Sequence, residues 1–227
     1  MIDYLLDPAH WTGPGGVGTL VGEHLFYTAV ALAVAGIIGV PVGLYVGHTG
    51  RGTFLIAGFA NALRALPTLG LVVLLVMVLA PVFASGLAFV VPSIAVLVLL
   101  AVPPIMTNTY AGVRAVDPAA VDAAVGMGLR PLRVLFSVQT PCAMPLILSG
   151  FRGATLQVIS TATVAAYVSL GGLGRLIIDG RAQNDYDKML GGAVLVAMLA
   201  LLVDLTLGLL GRVAVSPGLR RHAQAAG

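Results

Sequence analysis

From Ala65 to Val113 the chain carries no Asp, Glu, Lys or Arg, and the intervals between Glu23 and Arg51 and from Gly153 to Gly174 are equally bare. A bilayer core demands about 20 successive apolar residues of a helix, and each interval can supply them. Charged residues make up 9% of the 227 residues, against about 25% in soluble domains. A water-soluble globule and an intrinsically disordered chain are both excluded. An electrostatic nucleic-acid binder is excluded as well, because 12 Lys+Arg against 9 Asp+Glu leave only +3, spread along the chain. Cys142 is the single cysteine, so no intrachain disulfide and no cysteine-rich zinc site can form.

The apolar runs are continuous rather than alternating, so they read as helices and the chain as an all-α membrane protein. Five spans are expected. The first runs from about Leu25 to Gly47, the second lies within Phe54 to Ala80 and the third within Ala88 to Val113, with Pro81, Ser85 and Gly86 turning the chain between the last two. The run from Val134 to Val168 is too long for one crossing at about 1.5 Å per residue. Pro141 and Pro145 are expected to break it, leaving a fourth span from about Leu146. The fifth occupies about Met189 to Gly211. The organisation is then an external segment 1–24, a membrane domain 25–211 and a tail 212–227, with connecting loops at 115–133 and 169–188.

Five spans place the termini on opposite sides. Arg51, Arg114, Arg130, Arg133, Arg212, Arg220 and Arg221 share one side, whereas the N-terminal segment holds Asp3, Asp7 and Glu23 with no basic residue. By the positive-inside rule the N-terminus is external and the C-terminus cytoplasmic. A cleaved signal peptide, which would start with positive charge, is not expected. The pI of about 9.4 thus reports topology and requires no anionic partner.

The cytoplasmic loop 115–133 contains a helix signal of its own. Asp117 suits an N-cap, Pro118 the first helical position, and Ala119 to Val125 is mostly strong helix former. Gly126 and Gly128 weaken the end and Pro131 prevents continuation. Val121, Val125 and Gly128 recur on one face as a small apolar stripe. So short a helix needs something to pack on, and for an arbitrary helix pair a membrane-surface connector is the ordinary reading.

Asp122-Ala123-Ala124, three residues, Gly128, nine residues and Val138-Gln139-Thr140-Pro141 resemble the E-A-A-x3-G-x9-I-x-L-P signature of permease subunits of binding-protein-dependent ABC importers. The spacing is kept throughout; Asp122 and Val138 are conservative replacements and Thr140 for Leu is not. The resemblance implies a five-transmembrane-helix type I ABC importer permease bundle with a cytoplasmic coupling helix. Asp122, Ala123, Ala124 and Gly128 would contact the ATPase subunit, and Pro141 would set the entry into the fourth span. The chain lacks a P-loop: its one lysine, Lys188, lies between Asp187 and Met189. No catalytic residue and no cofactor is therefore expected in this chain, and ATP and Mg belong to the partner ATPase. Arg64-Ala65-Leu66-Pro67-Thr68-Leu69-Gly70 is similar to permeases of the glycine betaine, carnitine and choline group of osmoprotectant importers. So are Thr161-Ala162-Thr163, Ala165-Ala166, Gly171-Gly172-Leu173-Gly174, Ile177 and Gly180. The partners implied are an ATPase dimer, a second permease subunit, identical or paralogous, and an extracytoplasmic solute-binding protein, in a bacterial plasma membrane. A methionine or other amino-acid importer is the alternative within the class. A secondary transporter and an intramembrane enzyme are the alternatives outside it; five spans do not divide into the inverted repeats expected of the former.

Other features carry competing readings. Gly13-Pro-Gly-Gly-Val-Gly18 matches the dinucleotide fingerprint, but no strand is expected before it, so a flexible external loop is preferred. Gly39, Gly43 and Gly47 suit close packing within the bundle in preference to homodimerisation. In the external loop, Gly171, Gly172 and Gly174 with Arg175 and Asp179 would form a gate or a docking site for the binding protein. Tyr27, Tyr45, Tyr110 and Tyr167 show no cluster and read as interfacial anchors, so selection of the solute is expected mainly in the binding protein. His10, His24, His48 and His222 form no metal-ligand spacing. Arg64, Arg152 and Asp204 are intramembrane charges. Such charges are costly and mark function, so Asp204 is expected to pair with an Arg or line a wet cavity rather than relay protons. Asp204→Asn should then impair assembly or coupling; expression and uptake equal to wild type would defeat that expectation.

Overall fold

The computed structural model describes residues 4–5, 7–83 and 86–214. Asp3, Ser85, Arg220, Arg221 and His222 fall outside the described residues, as do the side chain of Arg64 and the tail beyond Ala214. Every regular element among the described residues is helical, as a lipid environment requires of a backbone that must satisfy itself.

A 3₁₀ turn at Pro8–His10, capped by the Asp7 carboxylate on the Ala9 N–H, leads into α1, Val17–Thr49. The helix starts earlier than the expected Leu25, because the glycine-rich stretch before it is a closed turn rather than a free loop. Gly16 N–H donates to Gly13 O at 3.1 Å, Thr19 Oγ1 donates to the same carbonyl at 2.9 Å, and Gly13 sits at φ +94°. A 3₁₀ turn, not a strand, precedes it, which disposes of the dinucleotide fingerprint.

Next come α2, Thr53–Ala65, and α3, Thr68–Leu79. Pro67 separates them in an extended conformation, and with no N–H of its own it cannot continue the α2 ladder. The expected second span is thus a broken pair. After a 3₁₀ turn at Ala80–Val82, α4 covers Val90–Arg114 and carries Pro103 and Pro104 inside it. Then come the short α5, Pro118–Gly126, and α6, Pro131–Val134, which passes through a π-helical turn at Leu135–Gln139 into α7, Thr140–Ala165. The expected break at Pro141 and Pro145 does not occur: one helical run extends from Pro131 to Val168. Pro141 falls in the first turn of α7, just after the wider π turn, where a missing N–H is tolerated, and Thr140 Oγ1 donates to Leu135 O at 2.9 Å. The chain continues with α8, Gly174–Gln183, and α9, Tyr186–Ala214. Among the described residues four helices are long and apolar enough to cross a membrane, and the broken α2–α3 pair makes a fifth if it is one span.

The chain packs as two compact units. The first draws on residues up to Val34, Arg64–Ala101 and Thr155–Asp204. Its core includes Val17, Leu20, Leu173, Leu176 and Leu199. The second draws, among the described residues, on Ala35–Leu63, Val102–Ala154 and the part of α9 from Leu205 to Ala214. Its core includes Leu44, Val113, Leu135, Ala143 and Ile147, with Phe151 against them. In this second unit the glycines of α1 face α4, as expected of packing within the bundle. A Cβ on Gly43 would stand 2.6 Å from Thr109 Cβ and 2.7 Å from Met106 O, and one on Gly47 would stand 2.6 Å from Val113 Cβ. Gly43→Ala is therefore expected to cost about 1–3 kcal/mol through overpacking. Gly58→Ala, where a Cβ would meet nothing within 4 Å, should be neutral or stabilising. Melting of the detergent-solubilised complex distinguishes the two.

Candidate functional site

The second unit presents the segment expected to couple. Asp117 Oδ1 accepts the Ala119 N–H at 2.9 Å and caps α5, and Pro118 opens it, as the sequence predicts. The helix ends in a Schellman arrangement: Leu129 N–H donates to Ala124 O at 3.2 Å and Gly128 N–H to Val125 O at 2.8 Å, with Gly128 at φ +83°. Gly128 thus serves as the helix stop, a role only glycine fills without strain, and Pro131 begins the next helix. The buried side of α5 is Ala124, at 2% exposure, rather than the stripe through Val125, which is 57% exposed. Asp122 and Ala123 are exposed on the same helix. Met127, Leu132 and Phe136 are exposed too, with the arginines 130 and 133 among them. Exposed apolar side chains and two arginines thus share this segment.

The π turn joins this surface to the bundle. Gln139 is buried, and its Oε1 lies 2.6 Å from Nδ1 of His48 at the end of α1. An amide oxygen only accepts, so His48 Nδ1 carries the proton. Sequence reasoning missed this pair: Gln139 occupies a wildcard position of the signature and His48 stood among dispersed histidines. Pro141 follows the π turn, exposed.

In the first unit, the segment expected to be a charged loop is largely helical. Gly171 and Gly172 take φ +82° and +73°, and Gly172 N–H donates to Glu23 Oε2 at 2.9 Å. A Cβ on Gly172 would stand 3.0 Å from Nδ1 of the buried His24, whose Nε2 lies 3.1 Å from Ile159 O. Gly174 packs directly on the Thr163 carbonyl and Ala166. These glycines hold a turn against α1, and Glu23 and His24 are neighbours of it that only the tertiary structure reveals. Arg175 Nη2 and Asp179 Oδ1 pair at 2.9 Å, one turn apart on α8. A cavity of about 640 Å³ opens between these elements and the N-terminal turn, lined by Tyr4, His10, Glu23, Arg175, Asp179 and Lys188 among others. Burial, and then the Asp185 carboxylate, raise the Tyr4 phenol above its ordinary value, so it is neutral at physiological pH.

Of the intramembrane charges, Arg152 lies on α7 with its guanidinium against Gly208, where a Cβ would stand 3.7 Å from Cζ. Asp204 lies one turn earlier on α9, half-buried, and neither Arg152 nor Asp204 lacks an interaction partner. Arg64 is in α2.

Apolar spanning helices with a short exposed helix carrying Asp122-Ala123-Ala124 define a membrane permease. The chain belongs to the family of binding-protein-dependent transport system inner membrane components, which matches residues 39–220. It is 31% identical over 199 residues to the glycine betaine/carnitine/choline transport system permease protein OpuCB of Bacillus subtilis, covering 88% of each chain. It is 32% identical over 223 residues to the osmoprotectant import permease protein OsmW of Salmonella typhimurium, covering 96% of this chain and 99% of that one. The fold matches a chain of the MetNI methionine ABC transporter in an inward-facing conformation with a TM-score of 0.76, at 21% identity, covering 88% of this chain and 96% of that one. The protein is a multi-pass component of the plasma membrane.

Replacing Gln139 with Leu leaves the His48 ring without its partner and should cost about 1–3 kcal/mol. A double-mutant cycle with His48→Phe, read by thermal melting of the complex, should show coupling of about 1 kcal/mol between the two positions; additive effects would contradict it.

Proposed function

We propose that this chain is the translocating subunit of an ATP-driven importer for a compatible solute such as glycine betaine, choline or carnitine. The observation that carries the substrate class is sequence similarity over 88% of the chain to permeases named for glycine betaine, carnitine and choline, and over 96% to one named for osmoprotectants. The methionine reading rests on a structural neighbour at 21% identity, which speaks for the fold alone. In this proposal the broken α2–α3 pair is one span, giving five, with the N-terminus external and the arginines 51, 114, 130 and 133 cytoplasmic.

Two permease subunits, identical or paralogous, enclose the path, and a separate ATPase dimer binds ATP and Mg. Helix α5 is the coupling helix. Ala123, on its exposed side, allows close approach to the ATPase, Asp122 offers charge, and the Gly128 stop and the π turn hold the helix in a fixed relation to α7. Closure of the ATPases on ATP moves α5, and the His48–Gln139 bond passes the displacement to α1. The bundle turns outward to accept solute from its binding protein, and hydrolysis lets it return.

Asp122→Lys together with Ala123→Trp is expected to abolish co-purification of the ATPase and to reduce uptake of labelled glycine betaine by about tenfold or more, equivalent to at least about 1.4 kcal/mol of docking energy. A lone chain that transports at full rate without an ATPase would overturn the reading. Uptake of methionine in place of glycine betaine and choline would overturn its substrate.

A further inference from the structure

We infer that the cavity of the first unit is a capture site for a small quaternary-ammonium solute, best matched to a zwitterion; this rests on the importer reading above and deepens it. The cavity measures about 640 Å³, within the range of ligand pockets and larger than one such solute, so the guest enters with part of its hydration shell. One wall is an aromatic stack, Tyr4 on His10, with centroids 4.1 Å apart and planes 17° from parallel. His10 covers one face of the Tyr4 ring, and the neutral phenol adds aromatic surface to the lining without a charge of its own.

The charges of the lining are also arranged by sign. Arg175 and Asp179 pair with each other at 2.9 Å, so their fields largely cancel. Glu23 and Lys188 remain as one carboxylate and one ammonium. Glu23 is held in place by the Gly172 N–H, and the backbone of Lys188 by Asp185 Oδ1, at 3.0 Å. A trimethylammonium group makes no hydrogen bonds and is recognised by a carboxylate and aromatic surface, which Glu23 and the Tyr4–His10 stack provide; a solute carboxylate is recognised by Lys188, whose Nζ also donates to Gln183 Oε1 at 3.4 Å. The N-terminal turn contributes Thr12, Gly13, Pro14, Gly15 and Gly16 to the lining. A wet site of this kind binds weakly, as suits a solute that must be handed on.

The test uses the intact complex with its ATPase subunits in lipid nanodiscs, without binding protein. Saturation-transfer NMR observes the methyl protons of glycine betaine and of choline, and uptake with binding protein is measured in parallel in proteoliposomes. Wild type should bind both solutes. Glu23→Gln keeps an acceptor for the Gly172 N–H and should weaken both by about tenfold, whereas Lys188→Gln should weaken glycine betaine and spare choline. The capture site is overturned if a wild-type complex that imports glycine betaine shows no transfer signal, or if Glu23→Gln binds both solutes as wild type does. Equal weakening of both solutes by Lys188→Gln overturns the assignment of the carboxylate end. A complex that imports neither solute with its binding protein overturns the importer reading, and the capture site with it.

Discussion

An unsatisfied backbone N–H or C=O in hydrocarbon costs several kcal/mol, and this single constraint organises the molecule. It makes every regular element among the described residues a helix and limits where helices can be interrupted. Prolines lie inside α1, α4 and α7 without ending them. Polar side chains bind the local backbone around them: Thr107 Oγ1 donates to Pro103 O and Asn108 Nδ2 to Pro104 O, each at 2.8 Å. Helix ends such as those of α5 are closed by local substitutes for the lost ladder, the Asp117 cap at one end and the Gly128 turn at the other.

With hydrophobic contrast between helix and lipid nearly absent, close packing must supply the cohesion, and glycine makes it possible. Gly43 and Gly47 bring α1 against α4, while Gly112 and Gly150 bring α4 against α7. The π turn that follows α6 is tied to α1 by the 2.6 Å bond between Gln139 and His48. In the first unit the turn at Gly171 and Gly172 is fastened to Glu23 and His24 in the same manner. A glycine-rich segment there serves precision of backbone shape rather than looseness.

The amino-acid sequence by itself determined the helical membrane class, the approximate location of the apolar helices and both ends of α5, though not which of its faces is buried. Its Asp117 cap, Pro118 start and Gly128 stop depend on residues within a few positions of one another, where local propensity governs. The signature around Asp122 was legible for the same reason. Only the tertiary structure decided that the run through Pro141 and Pro145 stays helical, because the π turn that accommodates it depends on how Leu135 and Gln139 are packed. It alone joined His48 to Gln139 across 91 positions and Glu23 to Gly172 across 149, and it turned a charged loop into the wall of a cavity. Hydropathy and capping act over one or two helical turns, whereas the partner of a buried polar group is chosen by which helices lie side by side.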